Sequence, residues 1–316
     1  MELPFEDSDL ALLSKSEYME LSRPTWFIGP GQIILLLMFL FLSIKTYSSG
    51  HIFGFIALLT FSLHYSLHIS HECWHGLLFT SKKTNVIVGM FTSALIGLPF
   101  GFAKKIHFNH HRCLNEPEDP GYGYTRSDLS KKELLIKILG ILFFLNHLKN
   151  IQPVLRKIVN SNGKAKARED VTQRKSLDQT GLKVGDMLFV VILHLLIMGI
   201  LIYFFDWKIF VLFEYAVLAL LPFVDAIRTL IDHRRAIGVD SKGFTRNFKT
   251  NIIDKLLTKT YFDWHILHHQ YPQIPQSNLK RVERLVVERL NGRPYYNSTA
   301  SNSVTALSQA LTLNRT

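Results

Sequence analysis

The chain has 316 residues, 47% of them hydrophobic, with 23 phenylalanines and a formal net charge of +11. That length would allow two soluble domains, but the apolar residues are gathered into blocks that the charged remainder is too short to cover. Only two cysteines, Cys73 and Cys113, are present, both on the side expected to be cytoplasmic, so a disulfide framework is not expected.

In chain order, residues 1–27 carry six acids, and Pro30 and Gly31 open the first apolar block, so no cleavable leader is expected. Residues 31–70 hold two apolar runs that turn near Tyr47–Gly50. Residues 187–226 hold two more, turning near Asp206–Lys208. Each run approaches the roughly 20 residues that cross a bilayer, so each block predicts a helical hairpin. Between them, the shorter run 86–102 is interrupted by Gly89, Gly97, Pro99 and Gly101. A crossing there would put the histidines before and after it on opposite faces. It reads instead as a re-entrant or interfacial segment, tolerable where protein covers it. The lysine-flanked run 131–159 reads as an interfacial amphipathic helix, because a fifth crossing would move the tail to the other side. Residues 160–184 read as a polar surface loop. Residues 291–316, rich in Ser, Thr and Asn, are expected to be partly disordered, and NST at 297–299 is an acceptor pattern that a cytoplasmic tail would leave inert.

Charge sets the expected sidedness. Lys104 to Asp186 holds 16 basic and nine acidic residues, and another 14 basic residues follow Ala226, whereas the tight turns contribute little. This asymmetry predicts that both termini, the middle segment and the tail are cytoplasmic, although the acidic N-terminus does not contribute to it. A basic face beside anionic lipid needs no nucleic acid to explain it. The expected architecture is all-α: an integral membrane protein with four transmembrane helices in two hairpins. A cytoplasmic helical cap would hold a di-metal site.

Fourteen histidines are present, most of them in three clusters. HECWH supplies His71 and His75, HFNHH supplies His107, His110 and His111, and HILHH supplies His265, His268 and His269. His233 stands alone in RTLIDHRR. Residues three or four apart share a helix face, so each cluster can present imidazoles toward one region. Imidazole suits iron, zinc, copper and nickel. Nine histidines exceed what one tetrahedral zinc takes and suit two metals with open positions. One HxxxH pair alone is more often coincidence, but three clusters at membrane exits on one side are not. His64 and His68 lie further up the first face, and spacing alone does not make them ligands. His51 and His194, near or within apolar helices, and interfacial His147 are read as non-ligands. Glu72, Asp232 and Asp263 are placed to take the second ring N–H of a ligand histidine. Glu116, Glu118 and Asp119 are placed to order the loop after the second cluster. Arg228 is placed to pair with one of the nearby acids. The cysteines, ligands in principle, read as free thiols packed near a site.

With its HxxxH, HxxHH and HxxHH boxes in that order, the chain resembles the membrane fatty acid desaturase superfamily, which also holds hydroxylases and carotenoid ketolases. HECWHGLLF and HFNHHRCLNEPEDPGY are similar to the surroundings of its first two boxes. WHILHHQYPQIP, with Pro272 and Pro275, is similar to its third-box ending, and His233 matches its additional histidine. The likeness spans about residues 30–290, within a catalytic unit of 28–290. It implies a catalytic metal set of His71, His75, His107, His110, His111, His233, His265, His268 and His269 holding two iron ions, with O2 as co-substrate. It implies desaturation of a fatty acyl chain in a membrane lipid or thioester; the alternative is hydroxylation or ketolation of a fatty acyl, sphingolipid or carotenoid substrate. The chain shows no flavin fingerprint, cytochrome domain or Fe–S cysteine pattern. Electrons are therefore expected from a separate donor such as ferredoxin or a cytochrome b5-like protein. A metal-binding transporter would instead place ionisable groups deep in several spans, where the second hairpin has only His194 and Glu214.

Overall fold

Both hairpins form where the apolar blocks require them. The computed structural model describes residues 13–126, 128–143, 183–234, 245–248, 264–289, 299–300 and 303–311. After a short α1 (Lys15–Leu21), α2 (Ile28–Ser48) and α3 (Ile52–His75) make the first hairpin. α8 (Val184–Phe204) and α9 (Trp207–Tyr215) begin the second, which continues through a π-helical turn (Ala216–Leu220) into α10 (Leu221–His233). Four helices are thus long and apolar enough to cross a membrane. Leu35, Leu37 and Phe41 on α2 and Leu188, Ile192 and Leu196 on α8 are exposed, as lipid-facing helices require. Pro222, at the start of α10, has no N–H to donate and crowds the carbonyl four residues back, which accounts for the π turn.

At the end remote from the histidines, the two hairpin turns are tied together. Tyr47 donates its hydroxyl to the Asp206 carboxylate at 2.9 Å, and Asp206 also caps α9 by accepting from the Lys208 and Ile209 amides. The central helix α3 packs Phe55, Leu59 and Leu63 against Ile96, Leu201, Ile209, Phe213 and Val217. Nearer its other end, Ser66 and Ser70 donate to the carbonyl and hydroxyl of Thr92, each at 2.9 Å. These bonds join α3 to α4 (Lys82–Leu95). A Cβ on Gly89 would fall 2.8 Å from that of Cys73, so only glycine lets the two helices approach so closely. Gly76 ends α3 in the left-handed region at φ 75°, with the Leu77 amide returning to the Glu72 carbonyl.

α4 and α5 (Phe100–Arg112) meet at a 94° bend. This is the broken pair that Gly97 and Pro99 predict, although it begins earlier and runs further than 86–102. The one-turn α6 (Tyr122–Thr125) precedes α7 (Lys131–Leu142), which is amphipathic as expected. Leu134, Ile138 and Ile141 are buried, while Leu135, Ile136 and Leu139 are exposed. His147, Asp263 and the rest of 144–159 lie outside the described residues, as does nearly all of the expected loop.

α11 (His265–Gln270) and α12 (Gln276–Arg289) pack with α1 around Leu21, Leu267, Ile274, Leu279, Val282 and Val286. Two ion pairs reinforce this cap, Arg289 with Glu17 at 2.6 Å and Arg281 with Glu20 at 2.7 Å. β1 (Asn247–Phe248) and β2 (Thr299–Ala300) form one short parallel pair, the only sheet among the described residues. Part of the tail is helical. Residues Ser303–Leu311 form α13, whose Ala306 and Ala310 are fully buried beside α10 and α7. Their i, i+4 spacing, with Leu307 and Leu311, makes an apolar stripe that only a partner helix reveals. Arg234 clamps this corner, donating to the carbonyls of Ala310, Arg126 and Leu129.

Candidate metal centre

Four helices deliver histidines to one place. α3 ends with His71 and His75, one turn apart, and α10 ends with His233. α5 carries His107, His110 and His111, and α11 carries His265, His268 and His269. All nine of these residues come together in one cluster, which contains three groups of candidate donors, two of them sharing His233. Ring nitrogens of His71, His75, His107, His111 and His268 all lie within 4.8 Å of one another. The same holds for His110, His233 and His269, and for Asp232, His233 and His265. The groups meet where the rings of His111 and His269 approach to 4.4 Å.

The ring nitrogens face each other in a way that protons alone do not satisfy. Nε2 of His107 lies 2.7 Å from Nε2 of His75 and 2.9 Å from Nε2 of His111. A neutral imidazole nitrogen either donates once or accepts once, so His107 cannot serve both. Nε2 of His265 is similarly shared, at 3.1 Å from His233 and 3.2 Å from His269. Buried His268 has no hydrogen-bond partner for either ring nitrogen among the described residues. Leaving such a group unsatisfied costs about 1–3 kcal/mol. Nitrogens about 3 Å apart are spaced as ligands are when each sits about 2 Å from a shared ion. The donor set therefore fits cations. His265, His268 and His269 are also held neutral, the ligand form. Burial pushes their pKa values well below the ordinary 6.5, and the neighbouring imidazoles add to the effect.

Groups outside the cluster orient it. Asp119 is buried and its Oδ1 accepts from Nδ1 of His110 at 2.9 Å, while its two oxygens also accept the Asn115 and Gly121 amides. A carboxylate there fixes the ring so that Nε2 faces the pocket. The expectation assigned Asp119 only to loop order; it does both. Glu72 does not hydrogen-bond to His71, since its nearest oxygen lies 3.7 Å from Nδ1. It accepts instead from the backbone amide of Gln276 at 3.2 Å, and the Gln276 side chain lies 3.2 Å from Nδ1 of His71. Gln276 was not singled out by its sequence context, 205 positions from its partner. Asp232 sits 3.9 Å from Nε2 of His265 and pairs with Arg228 at 3.3 Å.

The other described histidines are elsewhere. His64 and His68 are buried with their rings 4.7 Å apart and belong to none of the candidate metal groups. His194 bridges helices within the membrane: Nδ1 meets Glu214 at 2.7 Å and Nε2 donates to the Ala94 carbonyl at 2.9 Å. His51 is exposed in the first turn rather than packed against the helices. Cys73 is buried beside α4 and Cys113 half-buried; both thiols are free and outside the candidate metal groups. An apolar cleft of about 200 Å³, lined in part by Leu40, Phe55, Leu59, Ile197 and Phe213, opens between the spans. It lies 12 and more residues up α3 from His71, roughly 18 Å along the axis, so it is separate from the histidine pocket.

A family model described as fatty acid desaturase matches residues 48–300, a stretch that contains every one of these histidines. The chain belongs to the fatty acid desaturase family. Among curated proteins none matches significantly. Family membership makes this desaturase-family chain an oxidoreductase with a lipid substrate, and its histidine cluster has the donors to hold metal.

Proposed function

We propose that the protein is an O2-dependent di-iron membrane desaturase that introduces a double bond into a fatty acyl chain carried as an acyl lipid or acyl thioester. The convergence of nine imidazoles into one cluster of adjoining groups carries the reading. His71, His75, His107, His111 and His268 would hold one iron, and His110, His233, His265 and His269 the other. When bound, the iron pair supplies O2 activation and hydrogen removal from an unactivated C–H bond, which no side chain here can perform.

The chain's own residues prepare that chemistry. Asp119 holds the proton of His110 at Nδ1 and keeps Nε2 free. Buried Trp74 lies tilted against His107 and Phe108 meets His75 edge-on, at ring separations of 5.6 and 5.2 Å, putting apolar surface against these histidines. The apolar spans beside the pocket suit an alkyl chain, whose seating selects the carbon attacked. The basic excess in 104–186 and after Ala226 supports a cytoplasmic position for the centre and both termini. A basic face also suits an acidic electron donor such as ferredoxin or a cytochrome b5-like protein.

The test is lipid and carotenoid profiling by mass spectrometry of cells expressing the protein with a compatible donor, compared with a His268→Ala form. A new acyl species lighter by two hydrogens is expected, and it should disappear in the variant. A species heavier by one oxygen would reassign the reaction to hydroxylation, and identical profiles would overturn the enzymatic reading.

A further inference from the structure

The turn after the third histidine cluster leads back to the first cluster. The Tyr271 amide bonds to the Leu267 carbonyl, the Ile274 amide to the Tyr271 carbonyl, and the Asn278 amide to the Pro275 carbonyl. Together with Pro272 and Pro275, these bonds swing the backbone so that α12 begins at Gln276, beside His71 on α3. The apolar contacts of Leu279, Val282 and Val286 with α1 and α11 hold that helix in place. Gln276 is buried, its backbone amide anchored on Glu72 Oε2. Its side-chain nitrogen lies 3.2 Å from Nδ1 of His71, while its Oε1 has no partner among the described residues.

That arrangement identifies which amide atom belongs at His71. If the Nε2 atom of His71 faces an ion, its Nδ1 carries the ring proton and needs an acceptor. Glu72, at 3.7 Å, is too far to be that acceptor. The amide nitrogen of Gln276 cannot accept. Turning the amide over places the orphaned Oε1 at the ring proton, and amide oxygen and nitrogen exchange places in this way without moving the chain.

We propose that Gln276 is a positioning residue for His71: its side-chain carbonyl accepts the Nδ1 proton and fixes the ring with Nε2 toward the metal, while Glu72 holds the Gln276 backbone in register. The first and third clusters are thereby coupled through one amide. This rests on the metal reading of the pocket, and the test separates the two.

Metal-free full-length protein in detergent is titrated with Co2+ alone, following its visible absorption. Wild type is expected to bind two ions. Gln276→Leu, which keeps the bulk of the side chain and removes the acceptor, is expected to weaken one of them about 10–100-fold and to shift its absorption bands, leaving the other unchanged. Asn278→Ala is the control. It removes the bond from Asn278 to the Leu21 carbonyl, loosening the same helix without touching His71, and both sites should stay intact. Wild-type affinity and spectrum in Gln276→Leu, or an equal loss in Asn278→Ala, would overturn the role of the amide. If wild type takes up no Co2+, this inference and the metal reading fall together; if only Gln276→Leu departs from expectation, the metal reading stands.

Discussion

Asp119 shows how much a single side chain carries at this centre. Its two oxygens accept from His110 and from the amides of Asn115 and Gly121, so truncation would release the His110 ring and remove the acceptor for both backbone amides. Asp119→Ala is therefore expected to lower affinity at the His110 group about 10–100-fold while the His71 group keeps its ion. Metal titration with one strong and one weakened site would agree, and two unchanged sites would not. The HxxHH pattern makes His107, His110 and His111 legible because helical spacing alone puts them on adjoining faces. Asp119 is less legible. It returns to His110 through a loop in which Asn115 adopts a positive φ of 60°, and no local periodicity reports that geometry. Gln276 is harder still, since its partner is fixed only by the packing of three separate helices.

At the scale of elements, the apolar blocks disclosed the four spans because a bilayer demands long uninterrupted runs. The docking of helices within and around them was hidden. His194 on α8 is joined to Glu214 on α9 and to the end of α4. Replacing either His194 or Glu214 with Leu leaves its partner in apolar surroundings, at an expected cost of about 1–3 kcal/mol. The double replacement should cost less than the sum, because it removes both polar groups. Thermal unfolding in detergent would show this as non-additive midpoints, whereas strict additivity would deny the coupling. The cap offers a pH test. The Arg289 guanidinium beside Glu17 and the Ser14 hydroxyl hold that carboxyl down to about 2, below its ordinary 4.5. A carboxyl depressed on folding stabilises the docked state above the unfolded value and loses that contribution as pH falls toward 2. Hydrogen exchange in α1 should rise as the pH drops through that window, relative to the intrinsic rate. Glu17→Gln, which keeps the capping box, should flatten the dependence. The helical tail α13 escaped sequence reading for a related reason. Its Ala306 and Ala310 become an apolar stripe only against α10 and α7.

Across the whole molecule, two spans end in histidines of the cluster while α5 and α11 bring the rest from outside the hairpins, so the cluster forms only when membrane and cap elements meet. The sequence patterns singled out nine histidines that the structure brings together, but not their division into groups. The structure places His111 and His268 with the first group and His110 and His269 with the second, splitting adjacent pairs between neighbouring groups. That division is the central claim, and iron content tests it most directly. Protein purified after growth with iron should carry about two irons per chain, and a His233→Ala/His265→Ala form about one, because neither residue lies in the first group. Two irons retained in the variant, or no more than one in wild type, would contradict the account.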